Sequence, residues 1–240
     1  MNSVTHSYTI MPMISMAGKL IGPAFLCLQE PTRKLGPRVK QSLYQANNIH
    51  VTCSKSSKLT KTHIHYWTEK VLHSSVSKDC LLLFDSWSGQ TDPSIYDDIF
   101  INDIKCERMQ IPAKTTGDIQ PLDRYFFRQW KYFKQKICDR ISIDRLNIDI
   151  TSRNNILKMH SLIHNQLSAS KFSLMIMYAW FSTGYLSKDP GTFENVQDVC
   201  FSFDEDFCSS STCSDCSFIC CSYCGSVLCF NHFFVDDHKH

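Results

Sequence analysis

Two aspartates in this sequence stand where carboxylates can act together on a metal ion. Asp85 ends the apolar run Leu81–Phe84, and Asp123 follows Gln120-Pro-Leu at the start of a basic, aromatic segment. Carboxylate oxygens suit Mg²⁺ and Mn²⁺, and a pair of such ions can drive phosphodiester cleavage. The alternatives are that Asp85 only accepts hydrogen bonds from loop N–H groups and that Asp123 caps a helix.

The apolar pattern predicts the elements that must position these carboxylates. Strands are expected at 7–15 and 20–28 (a hairpin), 48–53, 80–84 and near 106–111, helices at 57–72, 93–100, 121–141, 151–167 and 170–186, and loops at 29–45 and 112–120. Pro12 predicts that the first strand lies at an edge or carries a bulge. This order favours a mixed α/β domain around one central sheet.

The segment 121–141 is the clearest predicted helix. Its apolar stripe consists of Phe126, Trp130, Phe133, Ile137 and Ile141. Another face carries Arg124, Arg128 and Lys131, which are candidate contacts for DNA phosphates. The alternative is a solvated basic face with no ligand. His160 and His164 share a predicted helix face, and we expect both to be ordinary surface or core residues.

Eight of the 13 cysteines lie between Cys200 and Cys229. The surrounding region from Asp189 to Asp237 has nine acidic residues and no Lys or Arg. Cysteine and histidine pairs two residues apart are typical of Zn²⁺ sites, which take four such ligands tetrahedrally. One predicted site contains Cys213, Cys216, Cys229 and His232, and the other contains Cys221, Cys224, His238 and His240. Cys208 and Cys220 are also available, and a disordered tail is the alternative.

Two blocks of the sequence resemble signatures of the pogo/mariner-type DDE transposases. These are Leu-Leu-Leu-Phe-Asp85 and Ile111-Pro-Ala-Lys-Thr-Thr-Gly-Asp-Ile-Gln-Pro-Leu-Asp123. The resemblance implies an RNase H-like mixed sheet flanked by helices, with Asp85 and Asp123 as the second and third catalytic carboxylates and Mg²⁺ or Mn²⁺ as cofactor. The family's first aspartate lies on a strand ahead of the hairpin. Here the first acidic residue is Glu30, so we expect a truncated domain that lacks the first catalytic strand.

These observations predict three regions: a partial DDE-type domain (1–145), a helical extension (146–188) and an acidic zinc-type module (189–240), which is similar to the Cys/His-rich ends of piggyBac-group transposases. The resemblance implies DNA as the partner, a nuclear location and strand cleavage as the ancestral activity, which we expect to be impaired. The alternative function is a non-enzymatic DNA- or chromatin-associated protein whose zinc module contacts proteins or mediates self-association. No apolar run is long enough to predict a membrane span.

Overall fold

The computed structural model describes residues 7–100 and 104–240, and within these ranges the chain is mixed α/β. Its strands are β1 (Tyr8–Ile14), β2 (Leu20–Gln29), β3 (Ile49–Ser54), β4 (Cys80–Phe84), β5 (Cys106–Gln110), β6 (Ser217–Cys220) and β7 (Val227–Cys229). Its helices are α1 (Pro37–Ser42), α2 (Lys61–Trp67), α3 (His73–Ser75), α4 (Ser94–Asp97), α5 (Thr116–Ile119), α6 (Phe127–Ile143), α7 (Arg153–Leu167), α8 (Ser173–Phe181) and α9 (Val196–Cys200).

Three π-helical turns lie outside the bounds given above. A π turn (Thr68–Leu72) joins α2 to α3, so that the chain is helical from 61 to 75. A second π turn (Leu122–Phe126) precedes α6, and a third (Asn231–Val235) follows β7. Helices α1 and α5 lie in segments that were expected to be loops. Pro37 at the start of α1 explains the first case, because its fixed φ suits the first turn of a helix.

The three-stranded sheet begins with the predicted hairpin. β1 pairs with β2 in antiparallel orientation, and β3 lies on the other side of β2, parallel to it. The register shifts between Met11 and Met13, and β1 is an edge strand of this sheet, as Pro12 predicted. β2 is therefore the central strand, and helices cover both of its faces.

The larger of two apolar cores lies on one face of β2. Ala24, Leu26 and Leu28 of β2 pack there with apolar side chains of α6 and α7. The predicted stripe of α6 is confirmed, since Phe126, Trp130, Phe133, Ile137 and Ile141 are all buried. The same core contains residues of the C-terminal segment, namely Cys208, Phe218, Ile219, Leu228, Cys229, Phe230, Phe233 and Phe234. The cysteine-rich segment thus packs directly against α6 and α7.

The prediction of one central sheet needs correction. β4 and β5 form a separate parallel pair, and β6 and β7 form a small antiparallel hairpin. The second apolar core connects the first two sheets: Met11 and Met13 of β1 and Leu82 of β4 pack against the same cluster as the helical stretch 61–75. Within the described residues β1 and β4 do not pair with each other, because strand pairing depends on long-range placement rather than on local pattern.

Within the described ranges, no helix combines the length and the apolar character that crossing a membrane requires.

Candidate functional site

Asp85 lies directly after β4, where the chain turns away from the sheet. Its Oδ1 accepts hydrogen bonds from the backbone N–H of Trp87, at 3.0 Å, and from Nε2 of Gln90, at 2.8 Å. The bond from Trp87 is the loop contact that the alternative interpretation predicted. Both bonds use the same oxygen, and among the described residues Oδ2 makes no hydrogen bond. One oxygen thus orients the carboxylate while the other is available to a ligand.

Asp123 lies in the π turn that leads into α6, and its side chain is exposed. Partial desolvation and the negative charge of Asp85 raise the pKa of Asp123, while Lys131 acts in the opposite direction. Two carboxylates that are 38 positions apart in sequence therefore interact electrostatically across the fold. A divalent cation relieves repulsion of this kind, so the pair is chemically suited to hold one.

The acidic site has two carboxylates and no third ligand within the described part of the chain. Groups of three or more His, Cys, Asp or Glu side chains close enough to share an ion occur there only at two Cys/His clusters. A two-metal phosphodiesterase site needs more oxygen ligands than two carboxylates supply.

The basic face of α6 and its leading turn adjoins the acidic site along the chain. Arg124, Arg128 and Lys131 are all exposed, and none forms a salt bridge within 4.0 Å among the described residues. Their charges are therefore available to an anionic ligand. Because the opposite face of the helix is buried in the main core, these side chains are held on one side of a fixed support.

Cluster 1 consists of Cys208, Cys213, Cys229 and His232, whose ligand atoms lie within 4.8 Å of one another. Cys213 Sγ is 3.8 Å from Cys229 Sγ, and His232 Nδ1 is 3.2 Å from Cys208 Sγ and 3.3 Å from Cys229 Sγ. Three of the four ligands are those that the spacing predicted.

Cys208 occupies the place in cluster 1 that was assigned to Cys216. Phe207 pairs with Cys216 in an isolated antiparallel bridge, and the N–H of Cys208 donates to the carbonyl of Asp215 at 3.1 Å. This bridge brings Cys208 beside Cys229, whereas Cys216 is exposed and outside the group. The correction arises because Cys208 reaches the site through strand pairing, which spacing does not reveal.

Cluster 2 consists of Cys221, Cys224, His238 and His240, the set that the spacing predicted. Cys224 Sγ lies 3.6 Å from His238 Nε2, which lies 3.1 Å from His240 Nε2. The turn that presents both cysteines closes with a 2.9 Å hydrogen bond from the N–H of Gly225 to the carbonyl of Cys221. Gly225 has a φ of 72°, a conformation that favours glycine, so the sequence builds this turn locally.

The geometry of both clusters fits a tetrahedral zinc ion. Zn–S bonds of about 2.3 Å and Zn–N bonds of about 2.0–2.1 Å place tetrahedral ligand atoms ~3.3–3.8 Å apart. The five separations given above lie in or close to that range, and the other ligand atoms of each cluster lie within 4.8 Å of one another. Cluster 1 would offer three thiolates and one imidazole, and cluster 2 two of each, both of which are known structural zinc ligand sets.

Neighbouring groups favour the thiolate at one cysteine of each cluster, Cys208 and Cys224, whereas burial raises the pKa of Cys229 in cluster 1 to about 12. Burial alone would raise the pKa of Cys208, but hydrogen bonds from the backbone of Ser210 and Cys229 and from His232 lower it to about 7. In the same way, burial opposes but hydrogen bonds from Ser226 and His238 lower the pKa of Cys224 to about 6. Thiolates are the form that binds zinc.

Sequence reasoning missed the buried amide of Gln166 on α7. Its Nε2 lies 3.3 Å from Cys221 Sγ of cluster 2. Periodicity places this residue among the apolar side chains of a core helix, and nothing in the local sequence indicates a contact with a cysteine 55 positions away.

Residues 180–240 match the family model of the Tc5 transposase C-terminal domain. This segment contains both Cys/His clusters and α9. No curated protein and no solved structure matches the chain. The match supports transposase ancestry for this chain.

Proposed function

We propose that this chain carries a DDE-type, RNase H-like domain of transposon origin that binds DNA through α6 and holds Mg²⁺ or Mn²⁺ between Asp85 and Asp123. The observation that carries the proposal is the placement of Asp85 directly after β4 and of Asp123 in the turn that leads into α6, with the charge of Asp85 contributing to the raised pKa of Asp123. They come from the end of β4 and from the turn at the start of α6, as the resemblance to DDE transposases implies. The Tc5-type C-terminal segment agrees with this ancestry.

The arrangement of the sheets supports an RNase H-like origin. β1 and β4 lie over the same apolar core, and each has an edge without a strand partner among the described residues. A strand paired with both edges would join the two sheets into one mixed sheet. In DDE transposases the first aspartate comes from a strand just ahead of the hairpin, and such a strand would add the third carboxylate to Asp85 and Asp123.

The two carboxylates by themselves support weak metal binding and little cleavage. A nicking assay on supercoiled DNA with Mg²⁺ or Mn²⁺ tests this part of the proposal, and it compares the wild type with Asp85→Asn and Asp123→Asn. We expect any metal-dependent nicking to disappear in both variants. Nicking that persists in both would refute the assignment of this pair.

DNA binding by α6 is testable without cleavage. Each phosphate contact contributes about 0.9 to the slope of log K against log salt for duplex DNA. Combined substitution of Arg124, Arg128 and Lys131 by Ala is expected to reduce that slope by ~2–3, measured by fluorescence anisotropy on a labelled duplex. Lys188→Ala removes an exposed lysine outside α6 and is the matched control. Equal slopes in the triple variant and the wild type would refute this interface.

We further propose that both Cys/His clusters bind Zn²⁺ as structural sites. Each bound ion would tie strands and turns of the C-terminal segment together. Metal analysis of the purified protein is expected to give two zinc ions per chain, and a chelator is expected to lower the thermal stability. A metal-free protein that keeps its stability in chelator would refute this role.

A second candidate function is a non-enzymatic role in which the C-terminal segment contacts proteins or a second copy of this chain. The observation that favours it is the exposed side chain of Phe207, which is 61% accessible and follows the acidic run Asp204-Glu-Asp206. This surface is unsuited to a phosphate backbone. Sedimentation of the wild type and of Phe207→Ser tests self-association: a dimer that dissociates in the variant supports it, and monomers in both refute it.

A further inference from the structure

Gln166 is a fully buried polar side chain at the end of α7, directly behind cluster 2. Its Nε2 donates toward Cys221 Sγ at 3.3 Å, and its Oε1 accepts from the backbone N–H of Ser222 at 2.8 Å. The hydroxyl of Ser222 lies 2.7 Å from the same Oε1 and 2.8 Å from the backbone carbonyl of Gln166. Both ends of the amide are thus engaged by the turn that presents Cys221.

The preceding residue of α7 contacts another part of the same cluster. Nδ2 of Asn165 donates to the backbone carbonyl of His240 at 2.8 Å. Two consecutive residues of one helix therefore bond to two of the four ligand residues, Cys221 and His240. A buried amide would be costly here without these bonds, so the contacts specify how α7 and the C-terminal segment fit together.

We infer that Gln166 and Asn165 form the outer shell of a metal site at cluster 2, and that metal binding there fastens the C-terminal segment to α7. This inference rests on the proposal that cluster 2 binds zinc. Hydrogen bonds from outer-shell groups orient the ligands of a metal site and tune their basicity. α7 lies outside the residues that match the Tc5-type domain, so the metal site of that domain extends beyond its matched segment.

α7 also bonds to α6, the helix that carries the basic face. On α7, His160 Nδ1 accepts a hydrogen bond from Nε1 of Trp130 on α6, at 3.0 Å. Metal binding at cluster 2 is therefore expected to stabilise α7 and α6 together with the C-terminal segment.

The experiment compares metal affinity at the two clusters of the full chain. Gln166→Met removes the amide hydrogen bonds at similar length, and Gln166→Glu keeps Oε1 but places a carboxylate beside the Cys221 thiolate. Outer-shell substitutions typically lower metal affinity by about 10–100-fold. We expect that loss at cluster 2 alone, measured by chelator competition. Gln135→Met, an exposed glutamine on α6, is the matched control.

Cobalt substitution distinguishes the clusters, because the thiolate absorption of Co²⁺ grows with the number of cysteine ligands and cluster 1 offers one more than cluster 2. If the wild type fills both sites and both Gln166 variants retain wild-type affinity at each, the inference is overturned while the zinc proposal stands. A wild type that binds no metal at cluster 2 overturns both. Should Gln166→Met fail to fold, Gln166→Glu and Asn165→Ala provide the same comparison.

Discussion

Acidification is expected to destabilise the protein through two buried histidines on α7. His160 and His164 are 1% and 6% exposed. Burial lowers the pKa of His160 to about 3, with Lys134 adding to the effect. Burial also lowers the pKa of His164 to about 4, although its bond to the carbonyl of Gly22 acts in the opposite direction.

The hydrogen bonds define the neutral form of each ring. Trp130 Nε1 can only donate, so Nδ1 of His160 is the acceptor and its Nε2 carries the proton. His164 Nε2 lies 2.9 Å from the carbonyl of Gly22, which can only accept, so this nitrogen also carries the proton. Protonating His160 would place a second N–H against that of Trp130 within a buried site.

The sign of the effect follows from proton uptake. An unfolded histidine has a pKa near 6.5, so below about pH 6.5 the unfolded chain binds protons that the folded chain does not. The free energy of unfolding therefore falls as the pH falls, by up to about 1.4 kcal/mol per pH unit for each histidine. At about pH 5 the loss is ~2 kcal/mol per histidine, and up to ~4 kcal/mol for the two together.

Urea unfolding between about pH 5 and 7 measures this slope for the wild type and for His160→Asn with His164→Gln. Asn Oδ1 can replace the acceptor Nδ1 of His160, and Gln Nε2 can replace the donor Nε2 of His164. Acid also protonates the Cys/His clusters in every variant, so the difference between slopes isolates the two histidines. The same slope in wild type and double variant would contradict the reasoning.

Three further predictions concern cluster 1, the main core and a half-buried ion pair. Cys208→Ser is expected to remove one bound zinc per chain and Cys216→Ser none, as metal analysis will show; the reverse result would reinstate the ligand set given by spacing. Phe133→Ala is expected to cost about 3–5 kcal/mol in the free energy of unfolding, because its ring is fully buried, and a loss below 1 kcal/mol would place it outside the core. Glu30→Gln leaves Arg153, its part-exposed partner, without a negative charge to pair with. We expect it to lower the free energy of unfolding in urea by ~1–3 kcal/mol. An unchanged urea midpoint would show that the pair is energetically neutral.

Local pattern was enough to place most elements of the fold. The predicted strand around Pro12, the unbroken run before Asp85 and the stripe through Trp130 each follow from neighbouring residues, since strand and helix periods are set within a few positions. The short helices α1 and α5 were missed because fewer than two turns give no clear apolar period. The division of the strands into separate sheets depends on which edges meet, and local pattern carries no information on that point.

The candidate sites also combine features that local sequence sets with features that only tertiary packing sets. Cluster 2 could be read from sequence because Cys221 and Cys224 share one turn, and Gly225 supplies the backbone conformation that closes it. The family resemblance selected Asp85 and Asp123 as a pair, but only the packing of β4 and α6 around their cores brings their charges into interaction.

By itself the sequence determined which Cys and His residues are candidate ligands, the turn that presents Cys221 and Cys224, and the basic and apolar faces of α6. The tertiary structure decided that Cys208 rather than Cys216 joins cluster 1, and that Gln166 lies against Cys221. The physical reason is range: helix faces and turns are fixed by bonds between residues a few positions apart. The contacts that complete a site join residues tens of positions apart, and only the packing of strands and helices around a shared core brings those together.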